Sequence, residues 1–120
     1  MKILLIEDNE LNLDMLSRRL ERKGFTTISA TDGVAGIEKA KNENPELIIM
    51  DLSLPILNGW DAAKKLKENN ETMSIPIIAL TAHAMKGDKE KAINAGCDEY
   101  DTKPVNFERL LEKISTVTGS

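Results

Sequence analysis

The chain has 120 residues, of which 41% are hydrophobic and 30% are charged, and we expect a single domain over residues 1–120. The formal net charge of −4, without a basic stripe, argues against a nucleic-acid-binding protein. The sequence has no signal peptide and no apolar run of membrane length, which predicts a cytoplasmic protein without a membrane partner. The single cysteine, Cys97 near the fifth predicted strand, excludes an internal disulfide and is expected to be a packed small residue.

Five strand-like runs are separated by helix-like segments, which predicts parallel strands in an α/β fold. The first, third and fourth runs, at residues 3–6, 47–50 and 77–80, are apolar throughout, as strands covered on both faces must be. The second and fifth, at residues 26–30 and 98–102, are polar at alternate positions and fit the edges of a sheet. We therefore expect a doubly wound, flavodoxin-like (βα)5 three-layer sandwich with strand order 2-1-3-4-5, while the strand pattern alone leaves the other common order open.

Caps and breakers between these runs predict five helices. Asn9 can cap the first helix, which is expected to end near Lys23, before Gly24. The later helices are expected at residues 33–44, 59–69, 87–95 and 106–117.

The first helix has apolar residues on two of its faces. Leu13, Leu16 and Leu20 recur at spacings of three and four and form the stripe that faces the core. Leu11 and Met15 fall on nearly the opposite face. These two residues either form a docking surface for a partner or are ordinary exposed apolar residues, which are common.

Four of the five predicted strands have a charged residue or a threonine directly after their last residue. These residues are Glu7 with Asp8, Asp51, Thr81 and Lys103, after the first, third, fourth and fifth strands. Parallel strands present their C-terminal ends along one edge of the sheet, where open α/β sheets place ligand chemistry. Three acids, one hydroxyl and one ammonium would then meet at one point. A cation and an anion would hold such a cluster together, and Mg²⁺ with a phosphoryl group meets both demands.

Asp51 is the predicted nucleophile of this cluster. It stands alone at the end of a central strand, and the loop from Leu52 to Pro55 is expected to leave it exposed. A carboxylate in this position can accept a phosphoryl group as an aspartyl phosphate. The two acids after the first strand are then metal ligands, while Lys103 and Thr81 contact phosphoryl oxygens. Taken singly, Asp8 could be only a helix cap and Asp51 only a turn residue, but their occurrence at the same end of successive strands favours the site.

Several short motifs together resemble the receiver domain of two-component response regulators. They are Glu7-Asp8-Asn9, the stretch from Met50 to Pro55, Asn58-Gly59, Thr81-Ala82 and Lys103-Pro104. The resemblance extends from Lys2 to about Val117. The stretch from Ala84 to Asp88 is similar to free-standing receivers of the DivK type, although receivers excised from hybrid histidine kinases look alike.

The resemblance implies a phosphoacceptor site that works with Mg²⁺, for which Mn²⁺ can substitute. Asp51 would accept a phosphoryl group from a histidine kinase or from a histidine phosphotransfer protein. Asp8, Asp51 and the backbone carbonyl of Ser53 would bind the metal directly, and Glu7 would support it through water. The protein would then catalyse only its own phosphorylation and dephosphorylation.

The resemblance also implies a switch and two positions that set the phosphoryl lifetime. Thr81 and Tyr100 would move on phosphorylation and reshape the face made by the fourth helix, the fifth strand and the fifth helix. A downstream protein effector would bind that face. Ser53 and His83 would tune hydrolysis of the aspartyl phosphate.

Docking of the phosphodonor protein is expected beside the site. Pro104 follows Lys103 in a peptide bond that is typically cis in the family, and it would join Leu11 and Met15 as a docking residue. The domain is expected to be a monomer, or a weak dimer when phosphorylated, with no output domain on this chain.

Three other functions compete with a phosphoacceptor receiver. A flavodoxin-type electron carrier needs a phosphate-binding loop and flavin-stacking aromatics, and only 3% of the residues are aromatic. A phosphatase of the aspartyl phosphate class would place a D-x-D motif after its first strand. A phosphorylation-independent adaptor would be expected to lack part of the acidic set. We therefore predict a phosphorylation-controlled signalling module.

Overall fold

The computed structural model describes residues 1–82 and 87–119 of the chain. Within these ranges, five strands and five helices alternate. The strands are β1 (Lys2–Ile6), β2 (Thr26–Ala30), β3 (Leu47–Asp51), β4 (Ile77–Thr81) and β5 (Glu99–Thr102). The helices are α1 (Glu10–Arg22), α2 (Gly33–Glu43), α3 (Gly59–Glu68), α4 (Asp88–Asn94) and α5 (Phe107–Thr118).

The neighbouring strands are all parallel, and the sheet has the order β2-β1-β3-β4-β5. This confirms the predicted doubly wound, flavodoxin-like fold. The apolar strands β1, β3 and β4 lie inside the sheet, and the half-polar strands β2 and β5 form its edges, as their patterns predict. The register pairs Ile6 with Met50 and Asp51 with Leu80, so the C-terminal ends of the central strands lie side by side.

Helices cover both faces of the sheet and enclose one core on each face. The first core lies under α2, α3 and α4 and includes Ile6, Met50 and Leu66. The second core lies under α1 and α5 and includes Leu20 and Leu110. Successive residues of a buried strand point to opposite faces, so each central strand contributes to both cores. The result is the predicted three-layer sandwich.

Side-chain caps begin four of the helices. Asn9, Asp32, Asn58 and Asn106 each accept a hydrogen bond from the backbone N–H three residues later. At the end of α2, Asn44 takes the left-handed conformation with φ of 51°, which stops the helix. The helix bounds match the predicted ones to within one residue. None of the helices in the described ranges is both long enough and apolar enough to cross a membrane.

The start of β5 differs by one residue from the prediction, because the strand begins at Glu99 rather than at Asp98. The Asp98 carboxylate accepts the N–H of Ile77 at 2.8 Å, while the Asp98 N–H donates to the carbonyl of Ile77 at 2.8 Å. Asp98 thus joins the beginning of β4 through its side chain as well as its backbone. Cys97 precedes the strand and is buried, which confirms that it is a packed residue.

Candidate functional site

Lys103 brings the ends of three strands together at the C-terminal edge of the sheet. Its Nζ donates to Oε1 of Glu7 after β1 at 2.5 Å and to Oδ2 of Asp51 in β3 at 3.1 Å. Its backbone N–H donates to the carbonyl of Thr81 at the end of β4, at 2.7 Å. The bond between Lys103 and Pro104 is cis, as the resemblance implied. The predicted meeting of these strand ends is therefore found in the fold.

Asp51 is buried, with 6% of its surface exposed, whereas the sequence led us to expect an exposed side chain. The cause lies in the loop that follows β3. Leu52 and Leu54 are both buried and draw the loop toward the core. Between them, the N–H of Ser53 donates to Oδ1 of Asp51 at 3.0 Å. The carboxylate is consequently held in place from two sides, by this N–H and by Lys103.

Three acids form a cluster at the site that contains the Lys103 ammonium. Glu7, Asp8 and Asp51 each offer a carboxylate oxygen, and these oxygens lie within 4.8 Å of one another. Glu7 and Asp51 are buried and Asp8 is exposed, so the cluster has a closed side and an open side. An open set of hard oxygen donors is the arrangement that suits Mg²⁺, which keeps several of its waters.

The pKa values of Glu7, Asp51 and Lys103 are all shifted in this cluster. Burial, followed by the hydrogen bond with Asp51, raises the pKa of Glu7 above its usual value, and Lys103 offsets only part of that rise. Burial also acts to raise the pKa of Asp51, but hydrogen bonds from Glu7, the Ser53 N–H and Lys103 outweigh it, so this pKa is lowered. Burial lowers the pKa of Lys103, and the two carboxylates more than reverse that effect. Protons are therefore retained by Glu7 in preference to Asp51, which favours an ionised Asp51 beside a charged Lys103.

The other predicted residues of the site lie around this centre. Thr81 is buried at the end of β4 and is in register with Thr102 of β5. Ser53 is exposed on the rim. Tyr100 is half-buried against the first core, and its pKa is raised by burial and by the charges of Asp88 and Asp101. The predicted lifetime residue at position 83 lies outside the described residues.

The predicted docking residues are exposed. Leu11 is 78% exposed and Met15 56% exposed, and Pro104 is also on the surface. The opposite face of α1 packs inward through Leu13, Leu16 and Leu20, as the helical pattern predicts. Exposure is expected both of docking residues and of ordinary exposed apolar residues, so the docking role stays a prediction.

A shallow groove beside α1 adds Asn12, Arg19 and Val105, which the sequence reasoning missed, to Met15 and Leu16, which it named. Asn12, Met15, Leu16, Arg19 and Val105 line a volume of about 70 Å³. Four of them follow the helical spacing of three and four along α1, which was the available signal. Val105 comes from the loop before α5 and could not be assigned to this groove from local pattern.

The family of the chain follows from its sequence match. A family model described as the response regulator receiver domain matches residues 3–115. The chain belongs to the response regulator receiver domain family. It is therefore the receiver domain of a two-component system.

Individual relatives agree with this assignment. The chain is 38% identical over 117 residues to the polar-differentiation response regulator DivK of Brucella anthropi, covering 98% of this chain and 95% of that protein. It is 33% identical, with a TM-score of 0.91, to the receiver domain of sensor histidine kinase PA1611 from Pseudomonas aeruginosa, which has a magnesium ion coordinated in its active site cleft. That match covers 99% of this chain and 98% of the solved one.

A third relative belongs to a protein complex. The co-crystal structure of the Saccharomyces cerevisiae histidine phosphotransfer protein Ypd1 and the receiver domain of its downstream response regulator Ssk1 matches with 32% identity and a TM-score of 0.91. The match covers 99% of this chain and 89% of the solved chain. The relatives thus include a response regulator, a receiver from a sensor kinase and a receiver solved with a phosphotransfer protein.

Proposed function

We propose that this receiver domain, taken as residues 1–120, is switched by phosphorylation of Asp51. The observation that carries the proposal is the pair of contacts from Lys103 to Asp51 and Glu7 at the C-terminal edge of the sheet. These contacts place an ammonium beside an ionised carboxylate that stands at the end of a central strand. The low pKa of Asp51 supports its use as a nucleophile at neutral pH.

Mg²⁺ is the cofactor that the acidic cluster fits, and Mn²⁺ prefers the same kind of oxygen ligand. Asp8, Asp51 and the backbone carbonyl of Ser53 would bind the ion directly, and Glu7 would act through water. When bound, the ion neutralises negative charge on the acids and on the phosphoryl oxygens. The magnesium ion named for the PA1611 receiver supports this choice.

The transfer step follows from the positions of these side chains. An oxygen of Asp51 forms a bond to phosphorus as the bond from phosphorus to the nitrogen of a phosphohistidine breaks. The imidazole keeps the electron pair and takes up a proton. Lys103 and the hydroxyl of Thr81 would donate hydrogen bonds to the phosphoryl oxygens, and such preorganised charge is most of what phosphoryl transfer needs from a protein.

Phosphorylation would change the surface made by α4, β5 and α5, which is the face that a downstream partner would bind. Thr81 would follow the phosphoryl group and Tyr100 would turn further inward, so that a local charge change selects between two packings of that face. A downstream protein effector would read this face, and the domain would be a monomer or a weak dimer. Ser53 and His83 would set the lifetime of the aspartyl phosphate, and no external substrate would be turned over.

The phosphodonor would be a histidine kinase or a histidine phosphotransfer protein. Leu11, Met15 and Pro104 would contact this donor beside the site. The complex of Ypd1 with the Ssk1 receiver supports a histidine phosphotransfer protein as the type of partner. Serine at both positions 11 and 15 is expected to slow transfer from a phosphorylated protein relative to transfer from acetyl phosphate. An equal effect on both donors would contradict the docking role.

The decisive experiment measures the intact mass after incubation with acetyl phosphate and Mg²⁺. The wild-type chain should gain the mass of one phosphoryl group, and the gain should disappear when the metal is chelated first. Asp51→Asn is the control and should gain nothing. If neither acetyl phosphate nor a phosphohistidine donor labels the wild type, the phosphorylation-independent adaptor becomes the better explanation.

A further inference from the structure

The two edge strands of the sheet differ in how they are protected from pairing with another chain. In β5, Glu99 forms an ion pair with Lys113 of α5 at 3.2 Å, and Asp101 forms one at 2.7 Å with a second base of that helix. Charged side chains on an edge strand discourage the addition of a further strand. β2 has the sequence Thr-Thr-Ile-Ser-Ala, with no charge and no proline, and it pairs with β1 in unbroken register. The usual protection of an edge is therefore missing from β2.

The outer edge of β2 presents backbone groups that can accept another strand. Within residues 1–82 and 87–119, β2 pairs only with β1. On that side, the N–H of Thr26 donates to the carbonyl of Met1 at 2.9 Å, and the carbonyl of Ala30 also accepts a hydrogen bond. Alternate residues of a strand direct their backbone groups to opposite sides, so Thr27 and Ser29 direct theirs to the outer edge. Two N–H groups and two carbonyls are thus available to an added strand.

A second groove, of about 260 Å³, lies along this edge between β2 and α1. Thr27 and Ser29 line it from the strand. From the helix it is lined by Glu10, Leu13, Asp14, Ser17 and Glu21. Between positions 10 and 21 the helix rises about 16 Å, and five residues of an extended strand span about the same length. The groove therefore matches the length of β2.

The groove is acidic. Its described lining contains three acids and no lysine or arginine. Asp14 pairs with Arg18 at 3.0 Å, which leaves Glu10 and Glu21 without an ion pair in the described part of the chain. The Thr27 hydroxyl donates to Oε1 of Glu21 at 2.9 Å and holds that carboxylate beside the strand. A basic side chain entering the groove would meet a carboxylate that is already in position.

We propose that the outer edge of β2 binds an extended segment of another protein that carries lysine or arginine at alternate positions. The segment pairs with the backbone of Thr27 and Ser29, and every second side chain lies over the groove and meets Glu10 or Glu21. A second copy of this chain fits less well, because two paired β2 strands would bring the same acids together in domains of net charge −4. The surface does not include Asp51, so the inference is independent of the proposed phosphorylation.

The test titrates the wild-type domain with two capped heptapeptides in a calorimeter. The first has the sequence Thr-Lys-Val-Lys-Thr-Lys-Val, which places all its lysines on one face of an extended strand. The second has glutamate in place of each lysine and should bind at least tenfold more weakly. At saturation with the lysine peptide, amide hydrogen exchange at Thr27 and Ser29 should slow, because both N–H groups become bonded.

Two variants separate strand pairing from charge attraction. Ser29→Pro removes an outward N–H but keeps the bonds to β1, and proline is tolerated at such a position of an edge strand. Its Kd for the lysine peptide should rise about tenfold. Glu10→Gln combined with Glu21→Gln should raise the Kd about fivefold. The matched control combines Glu68→Gln with Glu71→Gln, at the end of α3 on the other face of the sheet, and should leave the Kd unchanged.

Absence of binding by the lysine peptide, or equal binding by the two peptides, would overturn the inference. Unchanged exchange at Thr27 and Ser29 would overturn it as well, and this measurement decides even if Ser29→Pro does not fold. Equal weakening by the two pairs of glutamine substitutions would show that the groove is not the site. Protection of the two amides that grows with protein concentration, without peptide, would make a second copy the occupant instead. None of these results depends on Asp51, so failure here is distinguishable from failure of the proposed function.

Discussion

Two lysines join segments at opposite edges of the sheet, and their acceptors differ in kind. At the C-terminal edge, Lys103 donates to two carboxylates, those of Glu7 and Asp51. At the N-terminal edge, Lys67 of α3 donates to the Asp98 carboxylate at 3.1 Å and to two backbone carbonyls of the segment before β4, at 2.8 and 3.3 Å. Both ammonium groups are largely removed from solvent.

The balance of charge around each lysine differs, and it indicates a structural role for Lys67 and a functional role for Lys103. Lys67 and Asp98 balance each other, and the remaining acceptors of Lys67 are neutral carbonyls. Around Lys103 there are three carboxylates for one ammonium. Burial, followed by the hydrogen bond with Asp51, raises the pKa of Glu7 in this cluster, and a carboxyl perturbed in this way is typical of sites that bind or react. Four predictions test whether this contrast is real.

The largest effect is expected from Lys103→Met on phosphorylation. This substitution removes a preorganised donor to the transferred group and should lower the rate of labelling by acetyl phosphate about 100-fold. Lys67→Met is the matched control, because it removes the same charge from the opposite edge and should leave the rate unchanged. The measurement is intact mass against time with Mg²⁺ present. Equal slowing by both substitutions would remove the distinction between the two lysines.

Lys67→Met should in turn have the larger structural effect. It removes the donor that two backbone carbonyls share and leaves the Asp98 carboxylate with the N–H of Ile77 but without its ammonium partner, and we expect the free energy of unfolding to fall by about 2 kcal/mol. Urea denaturation of the two lysine variants, with and without Mg²⁺, measures this. Mg²⁺ should raise the free energy of unfolding of Lys67→Met by the same amount as that of the wild type, so the difference between these two proteins should remain. Lys103→Met should gain more from Mg²⁺ than the wild type, because its acidic cluster lacks the ammonium and the ion neutralises more uncompensated charge. Equal gains for the two variants would contradict the proposed charge difference.

Mg²⁺ should stabilise the wild-type domain by a smaller amount. An ion that binds only the folded state at ten times its Kd raises the free energy of unfolding by about 1.4 kcal/mol. Asp8→Asn should weaken this response, because it removes one ligand from the exposed side of the cluster. Sodium chloride at the same ionic strength is the control. A wild type that responds equally to both salts would have no specific cation site.

The smallest effect concerns the thiol near the N-terminal edge. Burial, then the charge of Asp98, raises the pKa of Cys97 from 9.0 to about 12, with Lys67 acting weakly in the other direction. The folded thiol therefore keeps its proton while the unfolded thiol ionises, and stability is lost as the pH rises from 9 through about 12. Iodoacetamide at pH 8.5 should label the native protein far more slowly than the protein in urea. Equal rates would show that the thiol is accessible.

Much of the architecture could be predicted from local sequence. Apolar runs such as residues 47–50 identify buried strands because a strand covered on both faces has no polar position. Caps such as Asn9 identify helix starts because they satisfy N–H groups that the helix leaves free. Placing Glu7, Asp51 and Lys103 at one edge needed only the rule that parallel strands end on the same side.

The details of the site depended on packing that local pattern does not encode. Asp51 is buried because Leu52 and Leu54 pack inward, whereas the sequence alone suggested that the Asp51 side chain is exposed. Local pattern likewise did not indicate that Ile56 takes a positive φ of 67° in the loop after β3, between the buried Leu54 and Leu57, which packs on the first core.

Local sequence was enough to place each strand and helix to within about a residue and to identify the edge of the sheet that carries the polar side chains. These features depend on periodicity and caps, which act over a few residues. The pairing of Lys103 with both Glu7 and Asp51, and the ion pair between Lys67 of α3 and Asp98, could be seen only in the folded domain. Such contacts link residues distant in sequence, so they exist only once the strands and helices have packed.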